Sequence, residues 1–116
     1  MLPKKNRLKK KKDFERIFKR GKGYREDSLL LRVISNNLQF SRFGFIISQK
    51  VSKKAVVRNK IKRRLRAIIR ESLPKIKKGI DGVIIIVGSG IENNSFKEIK
   101  EKVGRLIKKA KLLEND

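Results

Sequence analysis

The sequence predicts an α+β fold: a two-layer sandwich with the order α-β-β-α-β-α around a small central sheet. Three observations lead there. At 116 residues the chain can build one modest core, so residues 1–116 read as a single domain. Two stretches, 55–72 and 95–113, carry apolar side chains at helical spacing, while three short apolar runs are strand-sized. No internal repeat and no linker-like segment divides them.

The elements come in order along the chain. Residues 1–12 have Lys or Arg at most positions and only Leu2 and Leu8 as anchors, which reads as a flexible basic arm. A short helix is expected from Asp13 to Arg20. Asp13 suits its positive N-terminal end, Gly21 stops it, and Phe14, Ile17 and Phe18 share one face. SLLLRVIS, 28–35, reads as a strand, Asn36-Asn37 as a turn and SRFGFIISQ, 41–49, as the hairpin partner. A second helix runs from Ala55 to Ser72, and Pro74 and Gly79 punctuate the connection after it. GVIIIV, 82–87, is a continuous apolar run of buried-strand type. Ser95 caps a last helix reaching Leu113, with Phe96, Ile99, Val103, Leu106, Ile107 and Ala110 on its apolar face.

Charge narrows the function. Thirty-four Lys and Arg against eleven Asp and Glu give a net charge of +23. Repulsion on that scale calls for a polyanionic partner, and nucleic acid fits better than a membrane surface. A membrane binder would concentrate the charge on one amphipathic helix, whereas here it spreads over the arm, residues 53–70 and the C-terminal helix. The longest apolar run, VIIIV, is far short of a membrane span, and no apolar segment backs the basic N-terminus. Cysteine is absent, which fits a reducing interior, so the expected location is the cytoplasm.

The stretch KKAVVRNKIKRRLRAIIRE, 53–71, holds nine Lys or Arg and no acid before Glu71. On a helix, Val57, Ile61, Leu65, Ile68 and Ile69 form one sector, and Asn59, Lys62, Arg63, Arg66 and Arg70 lie opposite. A solvated helix face would intersperse acids and gain ion pairs, whereas Arg58–Lys62 and Lys62–Arg66 repel one another. A row of phosphate ligands explains the pattern better. Arginine grips phosphate oxygens bidentately, and Asn59 can bond to sugar or base edges.

Chemistry within the protein is not expected. There is no His and no Cys, so the usual general base and thiol nucleophile are missing. The acids are scattered, which leaves neither catalytic residues nor a metal site. Glu98 and Glu101 read as helix-face pairing, and Asp81 stands alone before a strand. Gly88-Ser89-Gly90 lacks the rest of a dinucleotide-binding loop and reads as a strand-exit turn.

The string KAVVRNKIKRRLR, Lys54 to Arg66, resembles the RNR signature of the bacterial ribonuclease P protein family. Arg7 to Gly21 is similar to that family's opening, and RFGFIIS, Arg42 to Ser48, to its second strand. The likeness extends over essentially the whole chain. It implies a ribosomal protein S5 domain 2-like sandwich with a left-handed crossover through the RNR helix. It also implies an accessory subunit of an endoribonuclease that removes the 5′ leader of precursor tRNA. In that family the catalytic RNA performs the hydrolysis with Mg²⁺, and the protein binds that RNA and the leader, not DNA or membrane.

Carried over by position, Lys54, Arg58, Asn59, Lys60, Lys62, Arg63, Arg66 and Arg70 would face the RNA. Phe14, Phe18, Leu30, Arg32 and Ile46 would line the leader cleft, where bases stack on aromatic rings and a basic rim tracks the backbone. Spacing alone favours core packing for Phe14, Ile17 and Phe18, and the resemblance sets the cleft reading level with it. The chain departs from the family twice. Ser52-Lys53-Lys54 replaces the glycine before the RNR helix, and Arg32 stands where an aromatic would be expected. Two other classes stay open: a non-catalytic ribosomal or general RNA-binding protein, and a DNA-binding regulator. The second lacks the upstream helix of a helix-turn-helix.

Overall fold

The structure is a computed structural model that describes residues 2–88 and 90–114. Among the described residues, the α-helices and strands follow in the order α1 (Lys11–Arg20), β1 (Lys22–Glu26), β2 (Leu29–Ser35), β3 (Arg42–Ile47), α2 (Ala55–Ser72), β4 (Ile80–Ile86) and α3 (Phe96–Lys109). The expected α+β class holds, with one strand more than the sequence suggested. KGYRE in β1 escapes pattern reading because it is a polar edge strand whose single apolar side chain, Tyr24, packs towards the core. It joins β2 across Asp27, which adopts a left-handed conformation at φ 53°.

The four strands lie in the order β1-β2-β4-β3. This overturns the expected hairpin between the runs at 28–35 and 41–49, which are β2 and β3. β4 inserts between them, antiparallel to β2 and parallel to β3. The physical reason lies in β4 itself. Its uninterrupted apolar run exposes nothing that tolerates water, so it takes a central position with a strand on either side. β3, α2 and β4 thereby form a parallel crossover unit.

Alternation along the strands gives the sheet two different faces. Leu29 and Leu31 of β2, Phe43 and Ile47 of β3, and Ile84 and Ile86 of β4 form the larger core. α2 covers this face through Ile61, Leu65, Ile68 and Ile69, and α3 through Ile99, Val103, Leu106 and Ile107. Ser95 begins α3 with a capping box: its hydroxyl accepts from the Glu98 N–H, and the Glu98 carboxylate accepts from the Ser95 N–H. Those bonds hold the Glu98 carboxyl below its ordinary pKa.

The opposite face carries a smaller cluster of Leu8, Ile17 and Val83, with Phe14, Ile34, Ile46 and Ile85 against it. α1 and the chain's start lie over it, through Ile17, Phe14 and Leu8. The segment expected as a free arm is in fact tied down. Leu2 is fully buried, the Asn6 amide donates to the Ser41 carbonyl at 2.7 Å, and Arg7 bridges to Phe43 at the β3 edge. Leu2 and Leu8 are buried and the Leu8 N–H donates to the Phe43 carbonyl at 2.9 Å, so the segment stays against the β3 edge despite its lysines. Ser89 of the expected Gly88-Ser89-Gly90 turn lies outside the described residues.

Candidate nucleic-acid interface

Two surfaces carry the residues singled out from sequence, one on each side of the sheet. The first is α2. Lys54, Asn59, Lys60, Arg63 and Arg70 are exposed, and Lys62 and Arg66 are half-buried along their stems. Among the described residues, none of Lys54, Lys60, Lys62, Arg63, Arg66 and Arg70 makes an ion pair or side-chain hydrogen bond. The acids nearest in sequence are engaged elsewhere, Glu71 with Lys100 at 2.9 Å. A positive ridge without internal neutralisation results.

Arg58 behaves differently. Its guanidinium turns back to donate to the Ser52 carbonyl at 2.8 Å. The Ser52 hydroxyl accepts from the Lys54 N–H at 3.2 Å. The turn that replaces the expected glycine is therefore built from Ser52 and closed by Arg58, which makes Arg58 partly a scaffold residue.

The second surface is the part of the smaller-cluster face that α1 leaves open. Register places Leu30, Ile85 and Ile46 in one row across β2, β4 and β3, all half-buried. Phe14 lies against β3 so closely that a Cβ on Gly44 would stand 2.6 Å from its ring. Ile17 of α1 is fully buried, while Phe18 on the same helix remains 42% exposed. Phe14 and Ile17 thus pack, whereas Phe18 presents a ring to solvent.

Arg32 shares this face but is committed to the helix. It donates to the carbonyls of Phe18 at 3.0 Å and Gly21 at 2.7 Å, with a longer bond to Ile17 at 3.4 Å. A guanidinium at these carbonyls satisfies the C-terminal end of α1 and complements its dipole. Arg32 thereby ties the end of α1 to β2.

Sequence reading missed three contributors. Ile85 completes the apolar row and was concealed in a run that looked uniformly buried. Counting alternate residues back from Ile86 would have separated it from Ile84. Arg25, opposite Leu30 in register, places a cation at the row's β1 end. Asp81, which looked isolated, is fully buried and accepts from Arg16 at 2.6 Å, Arg42 at 2.9 and 2.6 Å, and Asn36 at 2.9 Å. These bonds hold the Arg42 guanidinium above its ordinary pKa and anchor α1 to the sheet through Arg16.

The two surfaces meet around the β3 edge. A groove of about 230 Å³ there is lined by Arg7, Lys9, Phe14 and Gly44 from one side and Phe45 and Arg66 from the other. The groove brings Arg66 of the ridge beside Arg7, Lys9 and Phe14 at that edge. Among the described residues, no three His, Cys, Asp or Glu side chains converge as a metal site would require, and no helix is long and apolar enough to cross a membrane.

A family model described as Ribonuclease P matches residues 2–111. The chain is 46% identical over 101 residues to a ribonuclease P protein component of Synechocystis, covering 86% of this chain and 82% of that protein. It is 42% identical over 116 residues to the one from Microcystis aeruginosa, covering 97% and 96%. Among solved structures, a Staphylococcus aureus RNase P protein mutant with defective mRNA degradation activity superposes with a TM-score of 0.87 at 28% identity. That superposition covers 95% of this chain and 92% of the other. The RNase P protein from Thermotoga maritima gives 0.80 at 33% identity, covering 89% and 96%.

Proposed function

The chain belongs to the ribonuclease P protein family, and from that premise we propose that it seats the leader of precursor tRNA beside a catalytic RNA. In this reading the α2 ridge grips phosphates of the ribonuclease P RNA, with Asn59, Lys60, Arg63 and Arg70 foremost. The open row of Leu30, Ile46 and Ile85, with Phe18 at its side, receives the single-stranded 5′ leader. An apolar and aromatic floor takes bases without reading their sequence, which suits the varied leaders of many tRNAs.

The observation that carries this reading is the pairing of an unneutralised cationic helix with a half-buried apolar row on the other face of the same sheet. A core protein would have covered the row, and a plain charged surface would have paired the ridge. Hydrolysis in this reading belongs to the RNA and to Mg²⁺ held by its phosphates. The protein's own residues supply position and charge. The setting is the cytoplasm.

The test adds the full chain to a bacterial ribonuclease P RNA and precursor tRNA at low Mg²⁺. A rise in leader cleavage is expected, since protein cations replace part of the screening that Mg²⁺ provides. No rise, with the RNA nevertheless bound, would leave only a general RNA-binding protein.

A further inference from the structure

At the opposite end of the sheet from the open row lies a cavity of about 290 Å³. Its walls come from three separated segments: Lys5 at the chain's start, Phe40 before β3, and Leu73, Pro74, Ile76 and Lys78 between α2 and β4. The family reading assigns it no role. We infer that this cavity takes one unpaired base of the RNA that lies along α2, stacked on Phe40, with its phosphates met by Lys5 and Lys78. The inference rests on the proposed function in one respect only, that RNA lies along α2.

Three features support it. First, the walls are fixed in advance. Asn36 accepts from the Leu38 N–H at 2.7 Å and donates to the Phe40 carbonyl at 3.1 Å. The Ser41 hydroxyl donates to the Lys77 carbonyl at 2.6 Å and accepts from the Ile80 N–H at 3.1 Å. Together with the Asn6–Ser41 bond, these tie all three segments, so little ordering cost remains for a ligand.

Second, the chemistry suits a nucleotide. The Lys5 ammonium stands 5.8 Å from the centre of the Phe40 ring, a cation–π contact that is weak at an exposed site. An arriving base can take the ring face while the flexible, exposed lysine moves to its phosphate. Leu73, Pro74 and Ile76 supply an apolar floor, and the volume lies just under the usual range for small-ligand pockets, about 300–1,000 Å³. It has room for a single base and none for a duplex.

Third, the site continues the ridge. Arg70 is exposed in the last turn of α2, and Leu73 lies about 4.5 Å further along the axis. RNA phosphates following Arg63 and Arg70 would arrive at the cavity mouth.

The experiment titrates the isotope-labelled full chain with adenosine or uridine 5′-monophosphate and monitors backbone amides by NMR. Saturable shifts are expected at Gln39, Phe40 and Lys78, retained in Phe18→Ala and lost in Phe40→Ala. Affinity for ribonuclease P RNA should fall about fivefold or more in Phe40→Leu, with its salt dependence unchanged. Lys5→Gln with Lys78→Gln should instead flatten that dependence. Should Phe40→Ala fail to fold, the wild-type titration and Phe40→Leu decide. No shifts at the cavity, equal shifts from a polyglutamate peptide, or undiminished RNA affinity in Phe40→Leu would each overturn the inference. Loss of affinity in Arg63→Ala would then show the ridge reading still standing, while a neutral Arg63→Ala would remove both.

Discussion

Arg42 on β3 meets Asp81 on β4 in a two-pronged pair, Nε to Oδ1 at 2.9 Å and Nη2 to Oδ2 at 2.6 Å. Because Arg16 of α1 binds the same carboxylate, one fully buried acid determines where the helix beside the open row sits. Asp81→Asn leaves two guanidinium groups facing a neutral amide. Both arginines keep some solvent contact, so the loss is expected at about 2–4 kcal/mol, towards the lower end for a broken buried pair. Urea denaturation measures it, and an unchanged midpoint would mean that α1 is held by apolar contacts alone.

Phe18 separates the cleft reading from simple packing. Removal of its ring should weaken precursor tRNA binding, by about 1–3 kcal/mol if a leader base stacks there. Mature tRNA, which lacks the leader, should bind the Phe18→Ala complex as before. Equal losses for both would assign the ring to the fold.

For the ridge, Arg63→Ala should lower RNA affinity and reduce the slope of log K against log salt by about one. Arg58→Ala is expected to act differently. It also releases the Ser52 turn, so its effect should include lower thermal stability. If both substitutions leave the slope intact, neither side chain reaches phosphate.

Glu26 gives a pH signature. Hydrogen bonds from Lys109 first, then Arg105, hold its carboxyl below the ordinary glutamate value of 4.5. A depressed folded-state pKa contributes stability that is present above pH 4.5 and disappears as pH falls through the folded value. The wild type should therefore lose stability more steeply than Glu26→Gln on acidification below pH 4.5. Parallel melting curves for the two proteins across that window would show that the β1–α3 clamp contributes nothing.

Much of this was legible in the sequence. α2 lies where its apolar period placed it, from Ala55 to Ser72, and Ser95 caps α3 as its position suggested. Those features are local, set by spacing within one helix. The hidden features are non-local. β1 has too few apolar residues to register as a strand and forms because β2 offers it an edge. The pairing of β2 and β3 with β4 depends on which run most needs cover, a comparison no single segment reveals. Arg32 and Arg58 looked like free cations because sequence gives charge without direction. The structure turns one onto the end of α1 and the other onto a loop. Asp81 looked isolated because its partners are 39 and 65 residues away.

The two helices on the larger core begin differently, and this bears on how the protein behaves before it meets RNA. α3 has its full capping box. α2 has neither a side-chain cap nor an acid in its first turn, and Lys54 sits at its threshold. The unbonded amides of that turn and the helix dipole both face cations. The opening turn of α2 should therefore fray in the free protein, with hydrogen exchange fastest at Val56 and Val57 and slowest around Leu65 to Ile69. The helix that carries the cationic ridge would then be complete only in company.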